Sequence, residues 1–312
     1  MNSGLSTVAL PLALAIIMFG LGLSLTVGDF ARVARHPKAV AIALACQLIL
    51  LPAIAFGLVL LFDLPPLLAV GMMLLAASPG GTTANLFSHL FRGDVALNVT
   101  LTAVNSVIAV VSLPLITNFA LGHFAPSDGT GSLGLQFSKV VQIFAIVLIP
   151  VAVGVWVRRA WPAFADRMDR PVRIGSAVVL ALVIVGTVIA ERDNVTGYLA
   201  DVGLITLIFC ILSLGIGYVL PRRLGIASRQ SIASSMEIGI HNSTLAITIA
   251  ISLLDSTRIA VPAAVYGVVM FPVATAFGWL ITRGRADEQG PSAEGSGPSG
   301  SSTDRDLDPA AG

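Results

Sequence analysis

The sequence predicts an all-α protein that crosses a membrane about nine times, and two properties of the chain carry this prediction. Hydrophobic residues make up 55% of the 312 residues, charged residues only 11%, and the mean hydropathy is +0.90. Soluble domains carry about 25% charged residues, so this chain has too few to cover a surface that faces water. Its apolar residues also form runs of about 20, the length of an α-helix that crosses about 30 Å of hydrocarbon.

Nine such runs follow one another, separated by short polar segments or by turns that contain Pro and Gly. Their predicted limits are 6–26, 39–62, 66–91, 95–119, 136–157, 174–190, 196–220, 229–254 and 259–282. No basic residue precedes the first run, whereas a signal peptide begins with positive charge. We therefore expect this run to be retained as a membrane helix.

Lys and Arg are distributed unevenly between the two sides that nine crossings create. With the N-terminus outside, 15 of the 18 basic residues lie in cytoplasmic segments, and only Lys139, Arg192 and Arg258 lie outside. Because cytoplasmic loops are enriched in Lys and Arg, we expect a multi-pass protein of the cytoplasmic membrane, with the N-terminus outside and the C-terminus inside. Residues 284–312, rich in Gly, Ser and Pro, are predicted to be a disordered cytoplasmic tail after a transmembrane domain of residues 1–283.

The composition excludes several functional classes. A net charge of +1 and a pI near 7.9 give no field strong enough to attract nucleic acid. Cys46 and Cys210 lie inside apolar runs, without the spacing of a disulfide framework or a zinc site. An enzyme would need a nucleophile with a positioned base, and none is visible. The predicted surroundings are the lipid bilayer, and the sequence indicates no obligate protein partner.

The third predicted span is interrupted near its centre by SPGGTTAN, residues 78–85. One proline and two glycines weaken the helix, and three polar side chains follow. An interrupted backbone is tolerated at membrane depth only where protein buries it or where it lines a wet cavity. The segment therefore predicts a binding site or a packed kink.

The eighth predicted span contains EIGIHNST, residues 237–244, which places a carboxylate, an imidazole and an amide within six residues. An unpaired charge at the bilayer centre costs at least about 2.5 kcal/mol, and no Lys or Arg lies at comparable depth. Glu237 is therefore expected to meet a bound cation, a proton or a hydrogen-bonded partner.

The two interruptions are five helices apart, so their helices run in opposite directions. This arrangement predicts an inverted repeat with two discontinuous helices that cross at the membrane midplane. Half-helix N-termini attract anions and unwound carbonyls bind cations, which suits co-transport of Na⁺ with a small organic anion. The alternatives are a cation/proton antiporter and a proton-coupled anion transporter of the same architecture. Antiporters commonly use paired aspartates, which this crossing does not contain.

With these features the chain resembles the bile acid:sodium symporter family, a set of secondary transporters of organic anions. The resemblance covers most of residues 8–283 and rests on the run IMFGLGL at 17–23, the Pro-Gly-Gly break with Asn85, and the break from Glu237 to Asn242. It implies two inverted repeats, about 5–121 and 135–283, divided into a panel domain and a core domain. Bacterial members of known fold have ten helices, so the resemblance implies that this chain lacks the first, as the shorter animal members do.

The resemblance also implies two sodium sites. The first would use Ala84, Asn85, Asn98, Thr102 and Glu237, where Ala84 and Asn98 replace serines of the family pattern. Na⁺ prefers oxygen ligands, as other hard cations do, and Asn98 still offers one. Ala84 could offer only its carbonyl.

The second implied sodium site would use Gln47, Glu237, Ile238, Ile240 and His241. Position 241 is usually glutamine in the family, and an imidazole offers nitrogen in place of an amide oxygen. Two hypotheses follow: the chain couples to one sodium ion, or a proton on the His241/Glu237 pair replaces the second ion.

For the transported anion, the resemblance implies contacts from Thr82, Thr83 and Asn242, at the ends of the half-helices. Asn105 is a further candidate, chosen for its depth and polarity. The sequence thus predicts sodium-coupled symport by alternating access, and no enzyme activity.

Overall fold

A computed structural model describes residues 31–124, 137–168 and 195–283, together with isolated positions between 15 and 28 and between 171 and 178. Most of the predicted first span, most of the sixth span at 174–190 and the predicted tail at 284–312 lie outside the described residues. Within the described ranges all regular structure is helical, apart from one isolated antiparallel bridge. The predicted all-α class is confirmed for this part of the chain.

The main helices of the described ranges are numbered here in chain order. They are α1 (Pro37–Leu61), α2 (Pro66–Ala77), α3 (Thr82–Leu90), α4 (Val95–Phe124), α5 (Phe137–Ala160), α6 (Val195–Arg223), α7 (Ser228–Gly239), α8 (Ser243–Ser252) and α9 (Thr257–Thr282). Four of them, α1, α4, α6 and α9, are long and apolar enough to cross a membrane. A polytopic membrane protein is therefore the class that the structure supports.

Helix α1 contains a π-helical turn over Cys46–Leu50. Pro52 lies just beyond it and has no N–H, so the carbonyl of Leu48 lacks its α-helical donor and the turn widens. Such turns are frequent at functional sites. This one carries Gln47, whose side chain is buried in the protein.

The predicted third and eighth spans are each divided into two half-helices. Helix α2 ends at Ala77 and α3 begins at Thr82, with extended backbone at Ser78 and Gly81. Helix α7 ends at Gly239 and α8 begins at Ser243. Both interruptions thus lie where Pro, Gly and polar residues predict them.

The two interruptions meet. The amide of Asn242 donates to the carbonyl of Pro79 at 2.8 Å, and the amide of Gly81 donates to the carbonyl of Ile240 at 3.3 Å. Gly80 and His241 form the isolated antiparallel bridge. Each interruption therefore satisfies backbone groups of the other, as groups held away from water must be.

Helices α2 and α7 form the centre of the bundle, and α4, α6 and α9 pack around them. Every residue of α7 from Ser231 to Gly239 is buried. Close approach needs a small residue: a methyl group at Gly71 of α2 would overlap the backbone of Ile259 in α9. Large apolar side chains on the outer helices, such as Leu115 and Val268, are exposed, as expected of a surface that faces lipid.

Helix α5 belongs to a second, smaller apolar cluster formed by Leu23, Val157 and Ala165. The guanidinium of Arg158 donates to the carbonyl of Leu23 at 2.6 Å and forms an ion pair with Asp166. The predicted panel and core domains remain a proposal.

Candidate functional site

The carboxylate of Glu237 lies at the end of α7 and is fully buried. Its Oε2 accepts a hydrogen bond from the hydroxyl of Thr102 at 2.5 Å, and its Oε1 accepts one from the Asn105 amide at 3.1 Å. The backbone amide of Gly80 also faces the carboxylate. These three neutral donors hold the group in place, and they contribute no positive charge.

Gly80 lies against this carboxylate so closely that no side chain fits between them. A Cβ atom built there would lie 2.5 Å from both carboxylate oxygens, well inside van der Waals contact. The neighbouring Gly81 is different, since its nearest atom would be the Cα of Asn242 at 4.0 Å. Glycine at position 80 is therefore a steric requirement of the crossing.

Three buried amides share one arrangement: the nitrogen is bonded and the oxygen is unpartnered. Gln47 donates to the carbonyl of Ser78 at 3.0 Å, Asn98 donates to that of Ala233 at 2.7 Å, and Asn105 donates to Glu237. These partners are oxygens that only accept, so the NH₂ end of each amide must face them. The amide oxygens find no hydrogen-bond donor among the described residues, and neither does Oδ1 of Asn85.

Helix α4 presents its polar residues on one face. Asn98, Thr102 and Asn105 follow at intervals of four and three residues, which places them on one side of an α-helix. All three are buried, and two of them contact Glu237 directly. The residues predicted for the first cation site on α4 and α7 are therefore neighbours.

The other two residues of the predicted first site lie on α3. Ala84 is fully buried, and its amide donates to the carbonyl of Gly81 at 2.9 Å. Asn85 is half-buried, with the unpartnered oxygen described above. Both sit within the first turn of α3, directly after the interruption.

His241 occupies an aromatic enclosure at the interruption between α7 and α8. Its ring stacks on Phe209 with centroids 5.5 Å apart and meets Tyr266 edge to face at 5.4 Å. Its Nδ1 lies 3.0 Å from the carbonyl of Ser78, so Nδ1 carries a hydrogen. The other ring nitrogen, Nε2, is buried without a hydrogen-bond partner in the described structure.

The residues predicted for the second cation site also converge. His241 and Gln47 both donate to the carbonyl of Ser78. Ile238 is fully buried, and the carbonyl of Ile240 accepts from Gly81. In the neutral ring Nε2 is an acceptor, because Nδ1 is the donor. Of the predicted ligands, His241 therefore offers a nitrogen and Gln47 an unpartnered amide oxygen.

Sequence reasoning missed the residues that hold His241. Tyr266 is fully buried, and its hydroxyl donates to the carbonyl of Gly239 at 2.8 Å, which closes the C-terminal end of α7. Phe209 looks like an ordinary apolar residue of a membrane span. A buried Tyr usually needs a partner for its hydroxyl, and this was the available signal for Tyr266.

The residues predicted to bind the anion lie at two places in the fold. Thr82 and Thr83 form the first turn of α3, and Asn242 is the N-cap of α8, where its Oδ1 accepts from the amide of Leu245 at 3.0 Å. Two half-helix N-termini, the kind of helix end that attracts anions, therefore border the crossing. Asn105 points instead to Glu237.

Comparison with known proteins identifies the family. Residues 11–198 match the profile of the Sodium Bile acid symporter family. An "Uncharacterized sodium-dependent transporter YocS" of Bacillus subtilis is 31% identical over 261 residues, 82% of this chain and 77% of that protein. The chain belongs to the sodium bile acid symporter family.

Other family relatives come from plants and animals. A "Probable sodium/metabolite cotransporter BASS1, chloroplastic" of Arabidopsis thaliana is 31% identical over 261 residues, 82% of this chain. The human "Ileal sodium/bile acid cotransporter" is 26% identical over 246 residues, 78% of this chain. The chain spans 62% of the length of the first of these and 69% of the second. These relatives are named as transporters, so the predicted class, a transporter and not an enzyme, is confirmed at the level of the family.

Proposed function

We propose that this protein is a secondary active transporter that couples the movement of Na⁺ to symport of a small organic anion by alternating access. The observation that carries the proposal is the carboxylate of Glu237, which is fully buried, together with the buried amide oxygens of Asn98 and Asn105 on the neighbouring helix α4, which lack donors among the described residues. A buried acceptor without a donor is destabilising by about 1–3 kcal/mol. A cation between these oxygens would satisfy several of them together.

The chemistry of the ligand set favours Na⁺. Carboxylate, hydroxyl and amide oxygens are the ligands of hard cations, and Cys46 and Cys210, the two thiols, are not members of the set. Ala84, Asn85, Asn98, Thr102 and Glu237 would hold the first ion. Thr102 donates to Glu237 through its hydrogen, so its oxygen lone pairs remain available to a cation.

The anion would bind at the half-helix ends that border the same crossing. Thr82, Thr83 and Asn242 lie at the N-terminal ends of α3 and α8, and each helix N-terminus carries about half a positive charge. A cation at Glu237 would add to this field. Binding of either ligand would therefore favour binding of the other.

The second cation site is proposed in two versions. His241 replaces an amide oxygen with Nε2, a weaker ligand for Na⁺, so one version couples a single sodium ion. In the other, a proton on the His241/Glu237 pair replaces the second ion. Uptake that keeps a sodium-to-substrate ratio of two between pH 5.5 and 8 would contradict the proton version.

The protein is proposed to lie in the cytoplasmic membrane with its N-terminus outside. The starts of α4 and α7 and the ends of α3 and α6 then face the cytoplasm, together with Arg92, Arg222, Arg223 and Arg229. This arrangement follows the enrichment of basic residues on that side of membrane proteins.

Thermal stability in detergent tests the sodium claim. Na⁺ at 100 times its Kd should stabilise the folded protein by about 2.7 kcal/mol, whereas K⁺ should not. In Glu237→Ala the difference between the two ions should vanish. Equal melting temperatures in Na⁺ and K⁺ for the wild type would rule out sodium coupling through Glu237.

Uptake into vesicles tests the anion claim. A panel of labelled carboxylates should include one that accumulates under an inward Na⁺ gradient and not under a K⁺ gradient. If Na⁺ moves against protons while no carboxylate accumulates, the protein is an antiporter instead.

A further inference from the structure

Helices α4 and α7 run side by side in the same direction, with one constant register. The amide of Asp94 donates to the carbonyl of Arg229 at 2.9 Å. The side-chain amide of Asn98 donates to the carbonyl of Ala233 at 2.7 Å, and the hydroxyl of Thr102 donates to the carboxylate of Glu237. In all three contacts the two residues are 135 positions apart in the sequence. The contacts recur every four residues, or about 6 Å along the helices.

Helical spacing places polar residues of both helices along this α4–α7 seam, from its cytoplasmic end to Glu237. On α7, Gln230, Ser234 and Glu237 share one face, because they are four and three residues apart. On α4 the corresponding residues are Asp94 and Asn98. Burial increases along the seam: Gln230 and Asp94 are half-buried, whereas Ser234 is 2% exposed and Asn98 fully buried.

Ser234 is one of several helical hydroxyls, with Ser106, Ser112 and Thr117 of α4 among them, that lack a hydrogen-bond partner in the described structure. Ser231, Ser213 and Thr206 each donate to a carbonyl one turn earlier in their own helix, which is the common arrangement. The hydroxyl of Ser234 has no such bond, nor any other, within the part of the chain that the structure describes. The oxygen of the Asn98 amide is likewise unpartnered.

We propose that the α4–α7 seam is the path along which the cation passes between Glu237 and the cytoplasm, with Ser234 providing an intermediate binding position next to the first cation site, from which it would share the ligand Asn98. A cation that leaves its water needs oxygen ligands at each step, because an unligated charge inside the membrane is costly. Ser234 lies three residues before Glu237, about 4.5 Å nearer the cytoplasmic end.

The mouth of this path is marked by two further contacts. Asp94 caps α4, since its Oδ1 accepts from the amide of Leu97 at 3.0 Å, and its half-buried carboxylate is the acidic group of the seam nearest the cytoplasm. The Gln230 amide lies 2.9 Å from Nδ1 of His36, which joins α7 to the residue that precedes α1. A cation would thus pass from Asp94 and Gln230 to Ser234 and Asn98, and then to Glu237.

This inference rests on the proposed function, and cysteine accessibility separates the two. In a background with Cys46 and Cys210 replaced by Ala, Ser234→Cys is exposed to a small membrane-impermeant cationic methanethiosulfonate in inside-out and right-side-out vesicles. We expect labelling about tenfold faster from the cytoplasmic side, and slower labelling in Na⁺ than in K⁺. Ser235→Cys, at the next residue, is the matched control: Ser235 is equally buried, but its hydroxyl donates to the carbonyl of Leu214 in α6, so the variant should label slowly from both sides.

Several outcomes would overturn the path. They are equal labelling of the two cysteine variants, equal labelling from the two sides, and labelling that Na⁺ does not slow although Na⁺ stabilises the wild type. If Na⁺ fails to stabilise the wild type, the sodium proposal fails first.

Folding is checked with Ser234→Ala and Ser234→Thr: both should keep the wild-type Na⁺ midpoint for thermal stabilisation within about twofold. Only Ser234→Ala should slow Na⁺-driven uptake, by about tenfold, and equal uptake rates in the two variants would also contradict the path.

Discussion

At the scale of single residues, the candidate site depends on which end of each side-chain amide, the nitrogen or the oxygen, forms a hydrogen bond. Gln47, Asn98 and Asn105 each donate through nitrogen to an oxygen that cannot donate in return. This bond fixes the rotation of the amide and leaves its oxygen buried and unpartnered. The side chains are thus oriented before any ion arrives, and little conformational entropy remains to be lost when one binds.

Substitution of Asn98 separates its two roles. Asn98→Leu removes the bond to Ala233, worth about 1 kcal/mol, and also a cation ligand, so the Na⁺ concentration for half-maximal stabilisation should rise at least about tenfold. Asn98→Ser restores the residue of the family pattern and keeps an oxygen. Its Na⁺ midpoint in a thermal melt should stay within about threefold of wild type, and equal midpoints for Leu and Ser would remove Asn98 from the site.

His241 offers a test of ion number. His241→Gln supplies the amide oxygen of the family pattern, so the Hill coefficient for Na⁺ in uptake should rise from about one towards two. Lost contacts with Phe209 and Tyr266 should lower stability in K⁺ by about 1 kcal/mol. A Hill coefficient of two already in the wild type would contradict the single-ion version. The measurement is initial uptake rate against Na⁺ concentration.

At the scale of elements, the two interrupted helices work as a pair. Each interruption alone would leave backbone groups unbonded at membrane depth, which lipid cannot satisfy. Together, Pro79 and Gly81 bond to Asn242 and Ile240, and the chains cross as a short antiparallel bridge. The same crossing brings Gly80 against the carboxylate of Glu237, so the geometry of the backbone and that of the cation site are set together.

The two adjacent glycines of this crossing give a matched pair of variants. Gly80→Ala places a methyl group 2.5 Å from the Glu237 oxygens, which must displace the carboxylate and raise the Na⁺ midpoint by at least about tenfold. Gly81→Ala meets its nearest atom at 4.0 Å, and its φ of −105° suits alanine. Thermal melts in Na⁺ and K⁺ should therefore distinguish them, and a wild-type Na⁺ midpoint for Gly80→Ala would show that close packing at Glu237 is not required.

At the scale of the whole molecule, orientation can be tested with two exposed turns. Pro65 lies between α1 and α2, and Leu224 follows α6; both are exposed. With the N-terminus outside, an impermeant thiol reagent applied to intact cells should label Pro65→Cys and spare Leu224→Cys. Permeabilised cells provide the control, because both variants should then react. The reverse pattern would invert the orientation, and labelling of both in intact cells would contradict the assignment of sides.

The sequence by itself determined the class of the molecule and the position of its interruptions. Apolar runs of about 20 residues and a low charged fraction are local properties, and so is the weakening of a helix by Pro79 and the adjacent glycines. These properties can be read from the sequence without knowing which residues are neighbours in the folded protein. The observed half-helices therefore end where the residue pattern predicts, and the importance of Glu237 followed from its charge at membrane depth.

Only the tertiary structure decided how these residues meet. Which end of Asn98 is bonded depends on Ala233, 135 residues away, and the enclosure of His241 depends on Phe209 and Tyr266 from two other helices. The register of α4 on α7, which singles out Ser234, is likewise invisible in either helix alone. The physical reason is that hydropathy reports where a segment lies, whereas the orientation of an amide or a hydroxyl is set by partners that only folding brings near.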